Sequence, residues 1–183
     1  MPLSHQVRII GGVWRGRRVR FPPQAGVRPT PDRVRETLFN WLGQDLHGQS
    51  TLDLFCGSGA LSLEALSRGA VRAVAVDRNP QLVHALADIA AALGARGLEV
   101  HRADARTFLL REARRFDVIF MDPPFDLDPW ASMLPALADR LTPDGVIYAE
   151  SGCALAQPTG FEILRRDRAG QVHYHLLRPM RPA

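Results

Sequence analysis

Four aspartates in this chain stand where apolar runs give way to turns, and their neighbours indicate the chemistry each could perform. Asp122 opens Asp122-Pro123-Pro124-Phe125, directly after the apolar run Phe116–Met121. Two prolines stiffen that backbone and leave carbonyls without competing local N–H groups. An acid and a rigid carbonyl can accept both hydrogens of a planar exocyclic NH₂, while an aromatic ring stacks on the base that carries it. Asp53 opens Asp53-Leu54-Phe55-Cys56-Gly57-Ser58-Gly59. Glycines there let the backbone approach a ligand closely, and the helix that follows presents free N–H groups. The carboxylate in front can hold the amino group of a bound amino-acid moiety. Asp77 comes 20 positions after Gly57, where an acid at a strand end accepts both hydroxyls of a ribose. Asp104 ends the next strand, where its carboxylate or adjacent backbone can meet an adenine edge. Taken singly, Asp77 and Asp104 also suit helix N-caps, and the other two segments suit plain tight turns. Acids at successive strand ends favour one shared site.

The elements that must position these residues alternate. Short apolar strands are expected at Thr51–Phe55, Val71–Val76, Leu98–Arg102, Phe116–Met121 and Gly145–Glu150. Helices between them are expected after Gly59, from Asn79-Pro80 to Gly94, over Ala105–Arg114, and from Asp128-Pro129 to Leu141. The chain ends in a hairpin, Glu162–Arg166 and Val172–Leu177, turning at Ala169-Gly170. Near-continuous apolar strands alternating with helices predict a mostly parallel α/β sheet covered on both faces, which binds ligands at the carboxyl ends of its strands. In front of it, Val7–Ile10 and Arg17–Phe21 read as two short strands. Thr30 reads as a hydroxyl N-cap with Pro31 at the first helical position, opening a helix carried to about Leu46 by Val34, Leu38, Trp41 and Leu42.

With 183 residues, 46% hydrophobic and 23% charged, the composition is that of a globular chain and excludes a fibrous or disordered one. No apolar run approaches the ~20 residues of a membrane span, and the first six residues lack a secretory h-region. Cys56 and Cys153 form neither a disulfide scaffold nor a metal-ligand pattern, so no metal and a cytoplasmic location are expected. Cys56 reads as a small packing residue, and His173 and His175 as strand side chains. All 23 basic residues are arginine, and the first 35 residues hold eight of them against one acid. Such a basic arm on a mildly acidic body fits a polyanionic partner such as nucleic acid, or a solvated face.

The set Asp53–Gly59, Asp77, Asp104 and Asp122–Phe125 resembles a class I S-adenosylmethionine-dependent methyltransferase acting on an exocyclic amine. Arg8-Ile9-Ile10-Gly11-Gly12, Trp14-Arg15-Gly16-Arg17 and Arg28-Pro29-Thr30-Pro31-Asp32-Arg33-Val34-Arg35-Glu36 strongly resemble the bacterial RsmD family. Its members methylate N2 of a guanine, guanine 966 in the family, in small-subunit 16S ribosomal RNA. The chain departs modestly, with Cys56 in place of an expected Ala and Phe rather than Tyr at 125. The resemblance implies a Rossmann-like seven-stranded sheet with an antiparallel C-terminal hairpin, in a single methyltransferase domain over residues 1–183. Within it, a basic β-hairpin arm would occupy 7–22, a helix 30–47 and the cofactor-binding core 50–183. It further implies that Thr30, Asp53, Phe55, Gly57, Gly59, Asp77, Arg78, Asp104 and Ala105 hold S-adenosylmethionine, and that Asp122, Pro123, Pro124 and Phe125 form the catalytic pocket for a base extruded from its stack. Arg8, Arg15, Arg17, Arg18, Arg28, Arg33 and Arg35 would contact the RNA. Small-subunit ribosomal RNA, in a 30S particle or an assembly intermediate, is the expected partner of a monomeric enzyme, with no membrane association.

Rival readings are a DNA N6-adenine or N4-cytosine methyltransferase, disfavoured by the lack of a target-recognition domain, and an NAD-dependent oxidoreductase, disfavoured by the missing third glycine. A non-catalytic RNA-binding module would leave the acids at the strand ends unexplained.

Overall fold

A computed structural model of the chain describes residues 5–23, 29–124 and 130–180. The chain runs β1 (Gln6–Arg8), β2 (Arg18–Arg20), α1 (Asp32–Trp41), β3 (Ser50–Asp53), α2 (Ala60–Ser67), β4 (Arg72–Asp77), α3 (Pro80–Leu93) and β5 (Leu98–Arg102). It continues through α4 (Ala105–Arg111), β6 (Phe116–Met121), α5 (Trp130–Ala138), β7 (Leu141–Ser151), β8 (Phe161–Ala169) and β9 (Val172–Pro179). β1 and β2 pair antiparallel as a small ribbon. The other seven strands form one sheet in the order β5-β4-β3-β6-β7-β9-β8. β3 to β7 pair in parallel, and β9 is inserted antiparallel between β7 and β8. This is the expected α/β sheet with its antiparallel C-terminal hairpin. The chain winds outward from β3 to β5 and then returns to β6 on the other side of β3. The crevice at such a switch point is where open α/β sheets bind ligands.

Register decides which side chains share a face. Asp53 is opposite Phe120, and Phe120 is opposite Tyr148, so these three point the same way. On that face Phe120, Tyr148 and Tyr174 pack with Val34, Leu38 and Phe39 of α1. On the other face, Ile119, Met121, Ile147 and Ala149 pack with Leu109 of α4 and Met133 and Leu137 of α5. Each large apolar side chain buried this way stabilises the fold by roughly 1.5–3 kcal/mol.

α2 is buried on every side. The sheet covers one flank and the N-terminal ribbon the other. The Val13 N–H donates to the Ser67 carbonyl at 2.7 Å, and the Ser67 hydroxyl donates to the Gly11 carbonyl at 2.6 Å. Gly12, at φ +74°, permits this approach, since a Cβ there would stand 1.7 Å from the Ser67 carbonyl oxygen. At the far edge, β8 bonds only to β9 and leaves Arg165, Arg166 and Arg168 exposed.

Three local expectations are corrected. α1 ends at Trp41 rather than near Leu46 or residue 47. The apolar spacing continues past the helix because a loop, not a further helical turn, buries Leu46, whose N–H donates to the Arg68 carbonyl. Thr30 is not the cap: Pro31 occupies that position, with no side-chain hydrogen bond to the helix. β7 begins at Leu141 rather than Gly145, because a register shift between Phe116 and Val118 absorbs Thr142-Pro143-Asp144 into the strand. The Asp128-Pro129 helix start lies outside the described residues.

Candidate active site

Three carboxyls converge at the carboxyl ends of adjacent strands. Asp53 ends β3, Asp122 follows β6, and Glu150 lies near the end of β7. Asp53 is only 2% exposed and accepts the Ser62 hydroxyl at 2.9 Å. Burial pushes its carboxyl up from 3.8 to about 7, with the charges of Asp77 and Glu150 adding to the effect and the Ser62 hydrogen bond opposing it. Burial likewise holds Asp122 well above the carboxylate range, and the charges of Glu150 and Asp53 push it further. Asp122 has no hydrogen bond or ion pair to any other described residue. Glu150 is 3% exposed, and its Oε1 accepts the Tyr148 hydroxyl at 2.8 Å. Its carboxyl is raised by burial, against hydrogen bonds from Tyr148 and Thr30.

Glu150 is the member that the sequence reading missed. It follows the run Val146-Ile147-Tyr148-Ala149 as the other acids follow theirs, so the rule that found them would have found it.

The remaining site residues surround this group. The turn after β3 is closed by the Gly59 N–H donating to the Cys56 carbonyl at 2.7 Å. Gly59 has φ +74°, and a Cβ there would lie 2.3 Å from a Leu86 methyl, so helix α3 leaves no room for a larger residue. Gly57 turns its N–H to Asp77 Oδ2 at 2.9 Å, and Asn79 donates to Oδ1 at 2.8 Å. Asp77 thereby ties the two turns together, while each oxygen keeps a second lone pair for a ligand. Asn79, not Asp77, caps α3. Asp104 caps α4, accepting the Thr107 N–H at 3.0 Å, and is exposed, with Ala105 buried beside it. Phe55 is half-buried and Arg78 exposed. Thr30 is buried, with its hydroxyl toward Glu150. Pro123 is buried and Pro124 exposed, whereas Phe125 lies outside the described residues. Cys56 is buried, and burial beside Asp53 and Asp77 pushes its thiol up, away from the reactive thiolate.

The arginines separate into two kinds. Arg15, Arg17 and Arg18 are exposed around the ribbon, as is Arg33 on α1. Arg8 is exposed and bonded to Asp32 at 3.0 Å, and Arg28 lies outside the described residues. Arg35 corrects the expected RNA-contact set. It is 1% exposed, and its guanidinium donates to the Thr30 carbonyl, the Arg8 carbonyl, Asp32 and Glu64. Its donors are used inside the protein. Glu64, fully buried in α2, also accepts from Arg68 at 2.9 Å and from the Ile10 and Gly11 N–H groups at 2.9 and 2.7 Å. Glu64 shows what full neutralisation of a buried acid requires here, and no such cation faces Asp53, Asp122 or Glu150 among the described residues.

Comparison with known proteins gives a consistent picture. The family model described as "Conserved hypothetical protein 95" matches residues 7–178. Ribosomal RNA small subunit methyltransferase D of Escherichia coli K12 is 40% identical over 178 residues, covering 94% of this chain and 90% of that protein. The solved structure of the putative methyltransferase yhhF from E. coli superposes with a TM-score of 0.86 at 37% identity, covering 95% of this chain and 98% of that one. The T. thermophilus 16S rRNA N2 G1207 methyltransferase (RsmC), solved with AdoMet and guanosine, superposes with a TM-score of 0.73 at 28% identity, over 96% of this chain and half of that one.

Proposed function

The chain belongs to the RsmD family of ribosomal RNA methyltransferases, and we propose that it methylates the exocyclic N2 amine of one guanine in small-subunit 16S ribosomal RNA, using S-adenosylmethionine. The observation that carries this reading is the trio Asp53, Asp122 and Glu150: acids at neighbouring strand ends, the first and last buried and Asp122 half-buried, facing no cation among the described residues. Buried charge without a partner is costly, and it marks a place where a ligand supplies the complement.

The donor set fits the cofactor. Asp53 would hold its amino group, the Asp77 carboxylate its ribose hydroxyls, and Asp104 with the Ala105 backbone its adenine, while Gly57 and Gly59 let the main chain come close. When bound, S-adenosylmethionine supplies an electrophilic methyl group on a sulfonium. The chain's own part is to present the nucleophile. The guanine amine is poorly nucleophilic because its lone pair is delocalised into the ring. Asp122 and the Pro123 carbonyl accept its two hydrogens and turn that lone pair toward the methyl. Alignment at ~3–3.5 Å, with charge complementarity in a dry pocket, accounts for most of the rate. The base must leave its stack to reach these groups.

The test offers labelled cofactor with DNA, naked 16S ribosomal RNA and small-subunit particles, and locates the label by mass spectrometry of the digest. Methyl on N2 of a single guanine in ribosomal RNA is the expected result. Label in DNA, or none in either form of the RNA, overturns the proposal.

Two predictions follow from the site and the arm. With its carboxyl at about 7, Asp53 is largely protonated below neutral pH in the free protein. Holding an ammonium group needs the ionised form. Cofactor affinity therefore rises about tenfold per pH unit toward pH 7 and levels above it. Calorimetry in buffers of different ionisation enthalpy should find close to one proton released per cofactor near pH 6 and almost none near pH 8. Asp53→Asn should abolish the dependence. The raised carboxyl also makes the ligand-free protein lose stability as pH climbs through the window from about 4 to about 7. Separately, changing Arg15, Arg17 and Arg18 to Gln should weaken RNA binding and reduce the slope of log affinity against log salt by about 2. Unchanged binding at every salt concentration would make these arginines a solvated face only.

A further inference from the structure

The functional reading uses Asp122 for the amine and leaves Glu150 without a task. The last paired residues of β6 and β7 are Phe120 with Tyr148 and Met121 with Ala149. An acid follows on each side, Asp122 just past the end of β6 and Glu150 within β7. Continuing the register puts both on the face of Phe120 and Tyr148, near enough for the charge of Glu150 to act on Asp122. Glu150 is also fixed. Its Oε1 is held by the Tyr148 hydroxyl at 2.8 Å, and the Tyr148 ring is fully buried between Phe120 and Tyr174. A side chain held in this way by the Tyr148 and Thr30 hydroxyls, with no cation among the described residues, keeps acceptor lone pairs for a ligand.

Resting on the reading that guanine N2 is the methylated amine, we propose that Glu150 makes the site choose guanine. Its carboxylate accepts the N1–H of the base while Asp122, its neighbour across β6 and β7, accepts from the exocyclic amine.

The base chemistry supports the division of labour. Guanine presents two adjacent donors, the N1–H and the N2 amine. Adenine and cytosine present an amine beside a bare ring nitrogen, which is an acceptor. Once both groups are ionised around the bound base, two adjacent carboxylates offer acceptors only. They satisfy guanine's two donors and set a lone pair against the ring nitrogen of the other bases. A loop of the D-P-P-F type alone serves any planar exocyclic amine, so the discrimination must come from a neighbour of Asp122, and Glu150 is the acid that follows the last β6–β7 pair.

The experiment compares 16S ribosomal RNA carrying guanine or 2-aminopurine at the methylated position. The analogue keeps the amine but converts N1 to an acceptor and loses the O6 carbonyl. Two ratios are read: RNA affinity in the presence of the demethylated cofactor, and kcat/KM for methyl transfer. Wild-type protein is expected to prefer guanine by about 10- to 100-fold in both. Glu150→Gln should bring the preference within about threefold, because the amide nitrogen can donate to N1. Loss of O6 contacts would not be rescued by that change. Tyr148→Phe leaves the carboxylate in place but unfixed and should narrow the ratio by about threefold. It carries the test should the Gln variant fail to bind cofactor. A ratio that stays at its wild-type value in the variants overturns the role of Glu150. Wild-type protein that puts no methyl on N2 of guanine in the unmodified RNA overturns the functional reading instead.

Discussion

Asp122→Ala is expected to lower single-turnover methyl transfer by about 10²- to 10⁴-fold while leaving cofactor affinity close to wild type. In the proposed mechanism the Asp122 carboxylate orients the reacting amine, whereas Asp53 and Asp77 serve the cofactor. Asp122→Asn should fall between the two, because an amide oxygen still accepts one hydrogen but its nitrogen opposes the amine. The same alanine variant should be no less stable than the parent. It removes a half-buried acid that repels Glu150 and Asp53 and that bonds to none of the other described residues. A protein that becomes slower and equally or more heat-resistant carries the signature of a side chain retained for function at the expense of stability. Rapid-quench kinetics, calorimetry and thermal unfolding of one variant check all three statements. A rate near wild type would place the orienting group elsewhere.

Glu64→Gln is expected to cost about 3–5 kcal/mol. Glu64 neutralises two guanidinium groups and receives two backbone N–H groups, all in the interior between α2 and the N-terminal ribbon. Removing one charge from such a network leaves the others uncompensated. For a chain of this size, the melting temperature should drop by roughly 10 °C. A triple change, Arg35→Met, Glu64→Leu and Arg68→Met, should recover only part of that loss: apolar groups of similar volume replace the ionic cluster, but the Ile10 and Gly11 N–H groups lose their acceptor. It should not recover activity. Arg35 also grips the Thr30 and Arg8 carbonyls, which hold the segment before α1 against the ribbon. Recovery of both stability and turnover would show that the cluster only stabilises the fold.

What was legible in the sequence was local. β5 and β6 have the bounds read from their apolar runs, and α3 begins at the Asn79 cap and ends at Gly94 as its punctuation indicates. The signals there lie within a few residues of what they specify. The failures share the opposite property. Leu46 sits in helical phase with Val34 and Leu38 but is buried by contact with a segment more than 20 residues away. Arg35 looks like part of a basic surface, and only the arrival of Glu64, 29 positions later, turns it inward. In the site, Asp53, Asp77, Asp104 and Asp122 were legible because each precedes glycine, proline or a helix start. Glu150 ends its apolar run as they do and was open to the same rule. That β6 and β7 bring it near Asp122 is a property of the sheet.

The free margin of β8 bears on how copies of this protein meet in solution. An open sheet invites a neighbour to extend it, since its last strand still offers amide groups for a new ladder. Here Arg165, Arg166 and Arg168 stud that border. A second copy arriving border to border would set arginine against arginine, a repulsion strongest in dilute buffer and softened by added electrolyte. The charges that could attract a polyanion thus also discourage self-templated growth into aggregates.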